Sequence, residues 1–129
     1  MKLITREWLD RAKDDLAVIE EIIDNHALTN MVAFHAQQAV EKTLKAVIEE
    51  YEIAFVRTHK LEFLLEKTKA HLNFPVDMQS IRRLDEVYTE ARYPSELGLL
   101  PYGKPSEDDA RTMQEFARNL HENVESVLQ

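Results

Sequence analysis

With 129 residues the chain can bury a core without covalent staples, and with no cysteine it builds neither a disulfide framework nor a thiolate zinc site. Its 24 acidic residues outnumber 16 basic ones, a net charge of −8, which makes it a poor general binder of nucleic acid, since that affinity rests on Lys and Arg displacing counterions. The start MKLITREWLDRAKDD is too charged for a signal peptide and no apolar run reaches the ~18–20 residues that span a bilayer, so we expect one soluble, cytoplasmic domain over residues 1–129.

The first helix is predicted over residues 5–24. Trp8, Leu9, Ala12, Leu16, Ile19, Ile22 and Ile23 recur at three- and four-residue intervals, with Thr5 as its cap and Asn25 as its stop. The second spans 30–51. At ~100° per residue, Ala33, Ala36, Val40, Leu44, Val47 and Tyr51 share one side. His35, Gln38, Lys42 and Lys45 share a sector roughly 80° wide on the other, with Glu41 at its edge. Ala33, Ala36 and Ala39 allow close helix approach. A third helix covers 60–71, with Thr58 as cap and Leu61, Leu64, Leu65 and Thr68 inward. Pro75 breaks the chain and Asp77 caps a fourth, carrying Ile81, Leu84, Val87, Tyr88 and Ala91. Pro94 disfavours helical geometry at Tyr93, so that helix ends near Arg92. Three of the four prolines and both glycines fall in 94–105, a long loop. Ser106 with Glu107, Asp108 and Asp109 then opens a fifth helix, whose inner stripe is Ala110, Met113, Ala117, Leu120, Val124 and Leu128. Nothing alternates as a strand. The expected fold is an all-α, up-and-down antiparallel bundle of about five helices.

The polar row of the second helix has a plain reading and a functional one. It is either a solvated face, with Glu41 and Lys45 an ordinary i,i+4 pair, or a binding shelf. From His35 to Lys45 the row runs ~15 Å, room for a nucleotide or an elongated partner surface. Lys42 and Lys45 would supply charge and Gln38 would donate and accept. At the end of the fourth helix, Arg92 either covers the carbonyls there or offers a planar fork to a phosphate or carboxylate, with Tyr93 beside it. His59 is a capping or surface residue unless its loop folds onto the shelf. His26, His71 and His121 show no metal-ligand spacing, and there is no phosphate-cradling glycine loop and no Gly-x-Ser-x-Gly turn. No metal or cofactor is expected.

The ordered set FHAQQAVEKTLKAVI, THKLEFLL, YTEARYP and SEDDA resembles the HEPN domain family over roughly residues 6–128. The resemblance implies an up-and-down bundle, usually a homodimer, often paired with a small nucleotidyltransferase, with a proposed nucleotide-binding role. It carries over to His35, Gln38, Glu41, Lys42, Lys45, His59, Arg92 and Tyr93. Many members are metal-independent ribonucleases marked by an Arg and a His with four to six residues between them. No arginine here has that partner: Arg92 meets no histidine before His121, while Arg118 and His121 enclose two residues and Arg57 and His59 one. The leading expectation is therefore a non-catalytic, dimeric module that binds a nucleotide or a nucleotidyltransferase. The alternatives are a toxin-like ribonuclease, part of a toxin–antitoxin pair, using His35 or His59 with Arg92, and a structural homodimer with the row in its interface.

Overall fold

The computed structural model describes residues 1–53, 57–92 and 104–129, and of residues 89–92 the backbone alone. Five helices form an all-α bundle: α1 (Leu3–Ile22), α2 (Thr29–Glu50), α3 (Leu61–Thr68), α4 (Met78–Arg92) and α5 (Glu107–Leu128). Single 3₁₀ turns, His26–Leu28 and Lys69–His71, follow α1 and α3. There is no strand among the described residues. No helix among them is long and apolar enough to cross a membrane.

The long helix α2 is the axle, packing against all four others. Ala33, Ala36, Ala39 and Ala46 are wholly buried, and their lack of bulk brings the neighbouring backbones close. The core around them takes Leu9 and Ile19 from α1, Leu44 and Val47 from α2 itself, and Leu61 and Leu64 from α3. Ile81 and Leu84 of α4 and Ala117 and Val124 of α5 complete it. The apolar stripes of α3 and α5 are buried as their spacing requires.

The ends of the elements are set by contacts that local spacing does not show. Thr5 is not a cap: α1 begins at Leu3, and the Thr5 hydroxyl, buried inside the helix, donates to Glu50 Oε1 at 2.9 Å. Asn25 does not end α1, which stops at Ile22; its side chain caps the next turn by accepting from Ala27 N. Thr58 accepts only from Lys60 N, two residues on. The start of α3 is capped from another helix instead: the Asp85 carboxylate of α4 accepts from Leu61 N at 2.7 Å and Glu62 N at 3.1 Å. Asp77 and Ser106 do act locally, accepting from Gln79 N and Asp109 N. Tyr51 is exposed rather than inward, stacked on His71 with ring centroids 4.2 Å apart. Just beyond it the chain leaves α2 by a left-handed step at Glu52, φ 50°. That step lets Ile53 N reach Ile48 O at 3.0 Å and Glu52 N reach Glu49 O at 3.4 Å, closing the helix end.

Candidate functional site

The polar row is not a solvated face. α1 lies along one flank of α2 and the segment entering α3 along the other, so the row is held between them, half-buried. Two buried carboxylates organise it. On the α1 flank, Asp15 receives His35 Nδ1 at 2.9 Å on one oxygen and Lys42 Nζ at 2.7 Å on the other. On the α3 flank, Glu41 receives Lys45 Nζ at 2.8 Å on Oε2. The same carboxylate takes His59 Nδ1 at 2.9 and 3.1 Å and Gln37 Nε2 at 3.2 Å.

Gln37 completes the grip on His59. Its amide nitrogen also donates to the His59 backbone carbonyl at 3.0 Å, so one turn of α2 holds that residue at both main chain and ring. The Gln37 carbonyl oxygen in turn accepts from Gln38 Nε2 at 2.8 Å. An ionised carboxylate only accepts, so each histidine carries its proton on Nδ1 and leaves Nε2 open. The ring of His59 is the more available, its side chain 60% exposed against 21% for His35.

Aromatic groups border this flank. The Phe34 ring stacks on Tyr88 of α4 at 5.8 Å and meets His35 edge-on at 5.3 Å, while Tyr88 lies 5.9 Å from the His59 ring. On the α1 side, Lys45 Nζ stands 5.6 Å over the Trp8 ring. A shallow recess of about 290 Å³ lies there, lined by Ile4, Glu7, Trp8, Arg11 and Lys42.

Six of the eight residues singled out in the sequence thus come together: His35, Gln38, Glu41, Lys42, Lys45 and His59. Lys42 and Lys45, expected to supply free charge, each face a buried carboxylate. Arg92 occupies the last position of α4. Tyr93 lies outside the described residues. His121 takes no part: it is buried on α5 and its Nε2 donates to the Leu9 carbonyl at 3.0 Å. No group of side chains suited to a metal ion occurs among the described residues.

Three residues that matter here escaped the sequence reading. Gln37 is completely buried and orients both His59 and Gln38. Asp15 supplies the whole α1 flank. Asp85 fixes the start of α3, two residues after His59. A signal for Asp15 was present. Ile4, Trp8, Arg11, Asp15, Val18 and Ile22 alternate at four- and three-residue steps, as do Met31, His35, Gln38, Lys42 and Lys45, and two such rows on antiparallel helices face each other.

The model of the HEPN domain matches residues 5–127, nearly the whole chain. Among solved structures, the crystal structure of an archaeal HEPN homologue is similar over 100% of both chains, with a TM-score of 0.75 and 27% identity. No curated protein matches the chain significantly.

Proposed function

We propose that this chain, which belongs to the HEPN domain family, is a non-catalytic binding module that takes a nucleotide along the α2 row and works as a homodimer, alone or with a nucleotidyltransferase partner. One observation carries the ligand reading: a polar network on the central helix holds His59 at two points and leaves its ring open to solvent. Replacing buried ion pairs by well-packed apolar residues is often neutral or stabilising, so such a network supports positioning more than stability. His35, Gln38 and His59 would contact the ligand, Glu41, Lys42 and Lys45 would set their orientation, and Arg92 with Tyr93 would take its anionic end.

Isothermal titration with ATP, GTP and CTP tests this directly. Saturable heat with at least one of them, weakened in His59→Ala, is the expected result. No heat with any of the three, at protein concentrations near a millimolar, removes the nucleotide and leaves the protein partner.

The Glu41–His59 pair also gives the ribonuclease reading its one specific support. A carboxylate that fixes an imidazole tautomer and leaves Nε2 free is an arrangement suited to proton transfer. It requires metal-free cleavage of RNA by the purified protein, abolished in His59→Ala. The interface reading also stands, since Lys42 and Lys45 find opposite charges within the chain and a second copy covering the row would strand neither; it requires Lys42→Ala and Lys45→Ala to shift the monomer–dimer equilibrium without changing ligand affinity.

A further inference from the structure

The buried carboxylates do more than neutralise two lysines: they dictate the hydrogen-bonding sense of the groups around them. Glu41 can only accept, so the Gln37 amide must turn its nitrogen toward it, and the His59 carbonyl beside it makes the same demand. The Gln37 oxygen is thereby left to accept from Gln38, whose own nitrogen must turn inward and whose Oε1 is left open. A second chain starts at the same carboxylate. His59 gives its Nδ1 proton to Glu41, and in the neutral ring Nε2 carries a lone pair. Asp15 does the same for His35. Gln38 Oε1, His35 Nε2 and His59 Nε2 have no hydrogen-bond partner among the described residues. With both rings neutral all three ends are acceptors, whereas a doubly protonated ring turns its Nε2 into a donor.

An edge of acceptors over two buried carboxylates is a poor seat for a phosphate. The two ammonium groups that would offset it are each committed to one of those carboxylates. What such an edge complements is a set of N–H donors. The exposed His59 ring beside this edge offers a flat face and is backed by buried Tyr88, itself stacked on Phe34. We infer that the row recognises the amino edge of a planar heterocycle, the exocyclic amine of an adenine, cytosine or guanine base, through His59 Nε2 and Gln38 Oε1. The inference rests on the nucleotide reading above and narrows it: the base, not the phosphate chain, is read by α2.

A ligand series tests this without altering the protein. At pH 8, where imidazole is ordinarily neutral, ATP, GTP and CTP are titrated beside UTP, the triphosphate of purine riboside (adenine without its amine) and inorganic pyrophosphate. At least one amino-bearing nucleotide binds roughly tenfold or more tightly than its amine-free counterpart, and pyrophosphate binds far more weakly than either. His59→Phe, which keeps a ring and removes Nε2, and Gln38→Ala each erase most of that preference, provided circular dichroism shows the wild-type helix content. If the amine-free analogue binds as tightly as ATP, or pyrophosphate accounts for the affinity, the acceptor site is wrong while the nucleotide reading stands. Silence from every nucleotide overturns both.

Discussion

The two flanks of α2 solve one problem with the same parts and different chain economy. Each sets a buried carboxylate beneath a lysine and a histidine. On the α1 flank the acid comes from another helix, so Asp15 with His35 and Lys42 ties α1 to α2 and joins two elements that are already rigid. On the α3 flank the acid belongs to α2 itself, and what Glu41 and Gln37 hold is His59, in the non-helical residues that lead into α3. A polar cluster between two helices contributes mainly registry, whereas one that holds a connecting segment decides where a side chain is presented.

The largest test of this difference is Glu41→Ala. It leaves Lys45 without its opposite charge in a largely buried position and takes one acceptor from wholly buried Gln37, and we expect a loss of about 3–5 kcal/mol in urea unfolding. The amide signals of residues around His59 should move with it. A loss under about 1 kcal/mol would show that Glu41 is not the anchor. Asp15→Ala comes next, at about 2–3 kcal/mol, because Lys42 is more exposed than Lys45 and no wholly buried amide loses an acceptor with it. It should leave the His59 resonances in place. If both variants disturb His59 equally, the two flanks form one network and the distinction fails.

How much of this was readable in advance follows from the same contrast. The Glu41–Lys45 pair was visible because four residues on a helix are neighbours. The helices were visible because their apolar stripes recur at helical spacing, and α5 showed its start as well, through Ser106 and three acids in its first turn. Asp15 was passed over because the four- and three-residue row that contains it names no partner, and the residue it faces, Lys42, lies 27 positions away. Gln37 gave no sign at all: a glutamine at the edge of an apolar stripe looks like the rim of the core, and its role exists only once the His59 carbonyl arrives from 22 residues away. The site was therefore legible as a row of residue types and illegible as a set of orientations, since orientation came from partners on other elements.

Smaller substitutions sharpen the α3 flank. Asp85→Ala frees the first two N–H groups of α3 and should cost about 1 kcal/mol, with faster amide exchange at Leu61 and Glu62. If exchange there is unchanged, the cross-helix cap does not hold the segment. At the other end of the same connection, Glu52 stands in a left-handed conformation that favours glycine, so Glu52→Gly should raise stability by about 0.5–1 kcal/mol and its ion pair with exposed Lys2 should not be missed. A destabilised Glu52→Gly would mean that the turn is held by the side chain rather than by the backbone.

The smallest effect belongs to Glu62 and Arg82, an ion pair at 2.9 Å on the outer face of α3 and α4. The Arg82 hydrogen bond, more than its charge, holds the Glu62 carboxyl below the usual glutamate range. A depressed carboxyl contributes above its unfolded value and loses that contribution as pH falls through its folded value, so the pair's small contribution is present at neutral pH and disappears on the acid side. Both groups stand in water, where salt screens the attraction and two long side chains must be ordered to hold it. Glu62→Gln should lower the neutral-pH unfolding midpoint only marginally and flatten a shallow acid-side slope, and 1 M salt should do the same to the wild type. A clear fall at neutral pH would give this exposed pair the weight assigned here to the buried ones, and burial would no longer explain why Glu41 matters.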